Sequence, residues 1–157
     1  MKYYNLSLKE YLDKLAQREP VPGGGSAAAY TAALGAALIS MVANYSVGKS
    51  HPKDNARFKK IIQMSNKFKD RLMKLADLDS QAYLRVSQSR KKGGKVHQQA
   101  LQKASQIPLE VCHLCYQAID LTPFLVEKGN KNLIADVKIA AELLLAAFNS
   151  AACLTEH

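Results

Sequence analysis

Three consecutive glycines, Gly23 to Gly25, follow Pro20-Val21-Pro22 and end in Ser26. The chain then runs on through Ala27-Ala28-Ala29-Tyr30-Thr31-Ala32-Ala33-Leu34-Gly35-Ala36-Ala37-Leu38. Alanine is the best helix former, so this stretch predicts a helix from Ser26 to about Gly48. Ala28, Ala32 and Ala36 stack along one side of it, with Gly35 next to that side. A helix with so little bulk invites close contact with a neighbouring helix, within a subunit or between subunits. That requirement sets the fold class: helices packed tightly on helices.

The glycines ahead of the helix have two readings. Glycine lets a ligand approach the main chain closely, Ser26 is a good N-cap, and the free N–H groups at a helix start favour an anion. The plain alternative is a linker and a cap. No Gly-Lys-Ser/Thr follows, so the segment is not a nucleotide phosphate loop, and no apolar strand precedes it, so it is not a dinucleotide fingerprint.

The rest of the chain keeps the helical period. A first helix is predicted from Ser7 to Arg18, opened by a Ser7/Glu10 capping box and carrying Leu8, Tyr11, Leu12 and Leu15 on its apolar face. A third begins at Pro52, a residue suited to the first helical position, and can continue to Lys92 before Gly93-Gly94. Phe58, Ile62, Ser65, Phe68, Leu72 and Leu75 trace its inward seam at steps of three and four. A fourth runs from Lys95 to Ile119, where Pro108 predicts a kink or a break. A short segment from Thr122 to Glu127 and the turn Gly129-Asn130-Lys131-Asn132 lead to a last helix from Leu133 almost to the C-terminus. No β period and no internal repeat is present. The expected architecture is all-α: an antiparallel helical bundle with long helices and no sheet, in one domain over 1–157.

Composition narrows the function classes. Twenty-two Lys and Arg against 13 Asp and Glu give a formal charge of +9, concentrated in Lys49 to Lys74 and Arg85 to Lys103. Such a surface attracts anions, but no nucleic-acid motif accompanies it and aromatics do not interleave with the basic residues. The N-terminus lacks the apolar core of a signal peptide, and the alanine helix reads as the buried helix of a bundle rather than a membrane span. A cytoplasmic location is expected. The three cysteines do not suggest a disulfide scaffold, and Cys112-His113-Leu114-Cys115 has no second Cys/His pair at zinc spacing, so these read as small core thiols.

Two carboxylates stand out by position. Extending the seam from Leu72 and Leu75 lands on Asp79, with Ala82 and Val86 beyond it, while Asp77 points to roughly the opposite side. An inward acid needs a partner or a reason. A cross-bundle salt bridge or cap is one; a desolvated carboxylate tuned for proton transfer or ligand binding is the other. Asp136 falls in the first turns of the last helix, where an acid also complements the dipole. Lys49 is placed to meet an anionic ligand. None of the four histidines has a partner at metal-ligand spacing.

Taken in order, Arg18-Glu19-Pro20 through Ser26, Met41-Val42-Ala43 to Gly48-Lys49, Asp79-Ser80-Gln81-Ala82-Tyr83, Ile107-Pro108-Leu109 and Gly129-Asn130 to Ile134-Ala135-Asp136 resemble the cyclodeaminase/cyclohydrolase family. That family acts on one-carbon derivatives of tetrahydrofolate. The resemblance covers nearly the whole chain and implies an all-α homodimer with folate sites at or near the subunit interface, and chemistry without metal or organic cofactor. It also implies a polyglutamylated folate substrate and no nucleic-acid or membrane partner. Carried over by position, Asp79 is the proposed catalytic aspartate, Gly23, Gly24, Gly25 and Ser26 are the ligand loop, and Asp136 is an acidic position near the site; Lys49 is a basic side chain placed to attract the glutamate tail. The implied reaction is hydrolysis of 5,10-methenyltetrahydrofolate to 10-formyltetrahydrofolate. Formiminotetrahydrofolate cyclodeamination is the enzymatic alternative, and a non-catalytic folate-binding or structural dimer is the alternative of a different class. The chain departs from the family pattern after Tyr83, where it reads Ser87-Gln88-Ser89-Arg90-Lys91-Lys92-Gly93-Gly94, and at its C-terminus, where the last helix is expected to be short.

Overall fold

The computed structural model describes residues 2–48 and 51–155. After a 3-10 turn at Tyr3–Asn5, six α-helices follow in order: α1 (Leu8–Leu15), α2 (Gly24–Ser46), α3 (Pro52–Ser89), α4 (Gly94–Ile119), α5 (Thr122–Lys128) and α6 (Ile134–Ala152). A second 3-10 turn, Lys131–Leu133, leads into α6. No strand is present among the described residues. The all-α bundle is as expected, with several boundaries moved. The first helix ends at Leu15 rather than Arg18, α3 ends at Ser89, and α4 passes through Pro108 without a break in the helix.

The alanine helix is the centre of the bundle, flanked by α3 and α6. Ala29, Ala32, Ala36, Ile39, Val42 and Ala43 are fully buried. By length and hydropathy α2 is apolar enough to span a membrane, but 61% of its most apolar window is buried against the other helices. Its apolarity is therefore used inside the protein.

Small residues set the spacing. A Cβ on Gly35 would stand 2.7 Å from Leu144 Cγ and 3.0 Å from the Ala140 carbonyl oxygen of α6. That carbonyl belongs to a helix backbone and cannot step aside cheaply. Gly35→Ala should gain up to about 1 kcal/mol of helix propensity and lose about 1–3 kcal/mol to overpacking. The net expectation is a Tm lowered by several degrees in a thermal melt; an unchanged or higher Tm would show that α6 gives way freely.

The ends are tied in different ways. The Ser7/Glu10 capping box forms on α1 as expected. His51 caps α3 by accepting the Lys53 N–H on Nδ1 at 3.3 Å. Gly93 and Gly94 take φ of +61° and +52°, a left-handed pair that turns the chain between α3 and α4. Farther along these two helices, Arg71 forks onto both carboxylate oxygens of Glu110 at 2.6 and 2.7 Å and ties α3 to α4. Cys115 lies in the core, where burial pushes its thiol up to about 12, and the half-buried Cys112 donates to the Phe148 carbonyl at 3.6 Å.

The apolar face assigned to α1 needs correction. Only Tyr11 is buried; Leu8 and Leu12 are 72% and 51% exposed. The helix is too short to lay a whole face on the bundle: Tyr11 is its one buried residue, with Leu15 half-buried.

Candidate active site

The start of α2 and the C-terminal half of α3 meet at Gly25 and Asp79. The fit is close: a Cβ on Gly25 would fall 2.1 Å from Asp79 Oδ1 and 2.4 Å from its Cγ. Only glycine allows the carboxylate to lie there. Asp79 is half-buried against the first turn of α2, where the Ser26 backbone N–H, one of the donors a helix start leaves free, favours its charged form.

This geometry corrects two expectations. Gly23, not Ser26, occupies the N-cap position, and the helix already includes Gly24 and Gly25. Ser26 is in the third helical position, fully buried, with its Oγ 3.1 Å from the Tyr11 hydroxyl. The helix start also does not wait for an external anion, because Asp79 supplies the anion from within the chain. Burial nevertheless dominates: it raises the Asp79 carboxyl above the ordinary carboxylate range, and the Ser26 N–H offsets this only in part.

Asp79 faces a cleft of about 450 Å³, a size suited to a small organic ligand. Its walls are mostly apolar, formed by Val21 of the loop, Ala82, Tyr83 and Val86 of α3, Leu101 and Pro108 of α4, and Leu154. Gly23, Gly24 and Gly25 give the cleft a bare main-chain edge. Asp79 and Tyr83 are its titratable lining side chains. The arrangement suits a flat, partly apolar ligand with one centre of positive charge or one exchangeable proton near Asp79.

The other expected positions lie elsewhere. Asp136 is half-buried in the first turn of α6. The chain just before α6 is fixed to the end of α2, where Asn130 donates its N–H to Ser46 Oγ at 2.9 Å. The glycines are at the opposite end of this 23-residue helix, roughly 35 Å away at 1.5 Å per residue. Within one chain, Asp136 and the Asp79 cleft therefore do not meet. Lys49 lies outside the described residues.

Asp77, placed by spacing on the side away from Asp79, is buried as well. It accepts the Tyr3 N–H at 2.7 Å, which pins the N-terminal turn to α3. Burial raises its carboxyl and the Tyr3 bond partly offsets that. Spacing within α3 gives the side on which Asp77 stands, but not the segment that returns to cover it.

Fold and site define a class: a wholly helical protein that presents one desolvated carboxylate to a glycine-led helix start, in a cleft of mostly apolar walls. Within it, the chain belongs to the formiminotransferase-cyclodeaminase family, whose model matches residues 7–156. It is 34% identical to the methenyltetrahydrofolate cyclohydrolase of Methylorubrum extorquens, over 94% of this chain and 76% of that protein. It is 28% identical to the formimidoyltransferase-cyclodeaminase of Rattus norvegicus over 88% of this chain, which spans only 28% of that longer protein. The crystal structure of formiminotetrahydrofolate cyclodeaminase from Thermotoga maritima superposes with a TM-score of 0.94 at 31% identity, covering 98% of this chain and 78% of that one.

Proposed function

We propose that this protein hydrolyses 5,10-methenyltetrahydrofolate to 10-formyltetrahydrofolate, with Asp79 as the proton acceptor. The observation that carries the reading is the Asp79 carboxylate, desolvated and held against the start of α2 beside a cleft of ligand size. The 34% identity to a methenyltetrahydrofolate cyclohydrolase along most of both chains supports it.

The substrate's bridging carbon is an electrophilic amidinium. As water adds to that carbon, Asp79 takes one of its protons and balances the positive charge of the ring. The adduct then collapses: the carbon–oxygen double bond forms as the hydroxyl proton leaves, the bond from that carbon to N5 breaks, and N5 takes up a proton. One proton is released overall. A carboxyl raised toward the working pH is suited to accept a proton and return it. The test is loss of the near-ultraviolet absorbance of the methenyl substrate with purified protein against a buffer blank. A rate equal to the blank, with the protein folded, would sink the reading.

Cyclodeamination is the second reading, favoured by the superposition on the Thermotoga maritima enzyme. There the folate nitrogen attacks the formimino carbon and ammonia leaves, and a protonated Asp79 would donate to it. Ammonia release from formiminotetrahydrofolate, without methenyl hydrolysis, would select this reading.

We further propose a cytoplasmic homodimer, acting without metal or organic cofactor on a folate that carries a polyglutamyl tail. Leu34 is 60% exposed at the middle of α2 and lines a groove with Leu8 and Tyr4. An isologous contact centred there, with the two α2 helices antiparallel, would set the end of one copy that carries Asp136 beside the other copy's Asp79. Leu34→Glu is expected to halve the mass measured by light scattering and to reduce activity with it; a fully active monomer would exclude a shared site. For the tail, Arg85, Arg90, Lys91, Lys92, Lys95 and Lys103 are the counter-charges closest in sequence to the cleft residues of α3 and α4, with no acid between Ser80 and Leu109.

A further inference from the structure

We propose that Tyr11 is a positioning residue for this reaction: its hydroxyl, bonded to Ser26, locks the first turn of α2 in the place that holds Asp79. The inference rests on the role given to Asp79 above.

The first turn of α2 has almost nothing to hold it. Gly23 and Gly24 carry no side chain, and a Cβ at either would find no atom within 4 Å. Glycine backbone is the most costly to order. Ser26 brings the first side chain after the glycines, and it works on both flanks of the turn. Its N–H favours the charged form of the Asp79 carboxylate, which packs on the neighbouring Gly25, and its Oγ lies 3.1 Å from the Tyr11 hydroxyl, with both Ser26 and Tyr11 buried.

Tyr11 is itself firmly set. Its ring meets Tyr30 edge-on at 4.7 Å and Tyr3 at 6.0 Å. Tyr3 is tied to Asp77 through its N–H. A continuous path thus leaves α3 at Asp77, passes through Tyr3, Tyr11 and Ser26, and returns to α3 at Asp79, two residues farther on. Tyr11 is not among the residues that line the cleft, so it acts through Ser26 rather than on the ligand. Burial keeps its phenol protonated, so the hydroxyl persists through the neutral range.

Tyr11→Phe keeps the ring stack and removes only the hydroxyl. It is expected to lower kcat for methenyl hydrolysis about tenfold, as loosened positioning does, with KM changed far less. Loss of the Ser26 N–H from Asp79 removes the contact that lowers its carboxyl, while burial remains. The acid limb of the kcat/KM profile should therefore move to higher pH. From α3 the other titratable group lining the cleft is Tyr83; Tyr11 of α1 stands behind Ser26, outside the cleft, and the lining residues of the loop and of α4 carry no charge. A ¹³C-carboxyl NMR titration of Asp79 should show the same upward shift, and it reads the contact without any turnover. Ser26→Ala should reproduce both shifts, and the double variant should be no worse than either single one. A Tyr11→Phe protein whose pH profile and Asp79 titration superimpose on the wild type would overturn the proposal, whatever its Tm. If Tyr11→Phe does not fold, unshifted curves in Ser26→Ala would do the same. An inactive wild type would instead overturn the function while the NMR titration still judged the positioning.

Discussion

Asp79→Asn should fold, become more stable at neutral pH, and lose about 10²–10⁴ of the methenyl-hydrolysing activity, the range of one general acid–base group. The two effects have one cause. Asp79 is raised by burial, so the folded protein holds this proton more tightly than the unfolded chain. The proton therefore contributes stability that is fully present below the ordinary carboxylate range and is lost as pH rises through the raised folded value. Asparagine never ionises and escapes that loss. The difference in Tm between variant and wild type should open as pH rises from acid to neutral and close again on acidification. Thermal melts across that range, beside the absorbance assay, test it; an Asn variant less stable than wild type at neutral pH would mean that the carboxylate serves the structure.

Gly25→Ala should give a folded protein with activity close to that of Asp79→Asn. The added Cβ falls on the Asp79 carboxylate. That group is the end of a side chain, so it can rotate aside, and alanine in the first turn of a helix regains roughly 1 kcal/mol of propensity. Stability should hardly fall while the carboxylate leaves its place. The double variant Gly25→Ala/Asp79→Asn should be no slower than Asp79→Asn alone, because both remove the same group. Additive losses in kcat/KM would show that Gly25 matters through the ligand rather than through Asp79.

The helices and the inward acid could be read from the chain because they depend on local period. Leu72, Leu75 and Asp79 follow one seam, and each lies on the inner side of α3. Gly35 lay beside an alanine stripe and does mark close approach, to Leu144. What depends on distant segments was less legible. Ser26 reads as a cap because serine usually caps; that Gly24 and Gly25 join the helix depends on Asp79 arriving from more than fifty residues away. Leu8 and Leu12 read as core because they share the helical spacing of Tyr11, yet both are exposed and only Tyr11 of α1 is buried. The path from Asp77 through Tyr3 and Tyr11 to Ser26 joins three separate parts of the chain and has no period to betray it. The one available signal was chemical: tyrosines at 3, 11 and 30 and acids at 77 and 79, all needing partners once buried.

A carboxylate seated on the first turn of α2 also bears on what happens after the chemistry. The methenyl substrate carries a delocalised positive charge, and the formyl product carries none. On the role proposed for Asp79, its attraction for the ring exists before the ring opens and is lost afterwards. If Asp79 has the role proposed for it, part of the drive for product release comes from the reaction itself, without any part of the protein having to move.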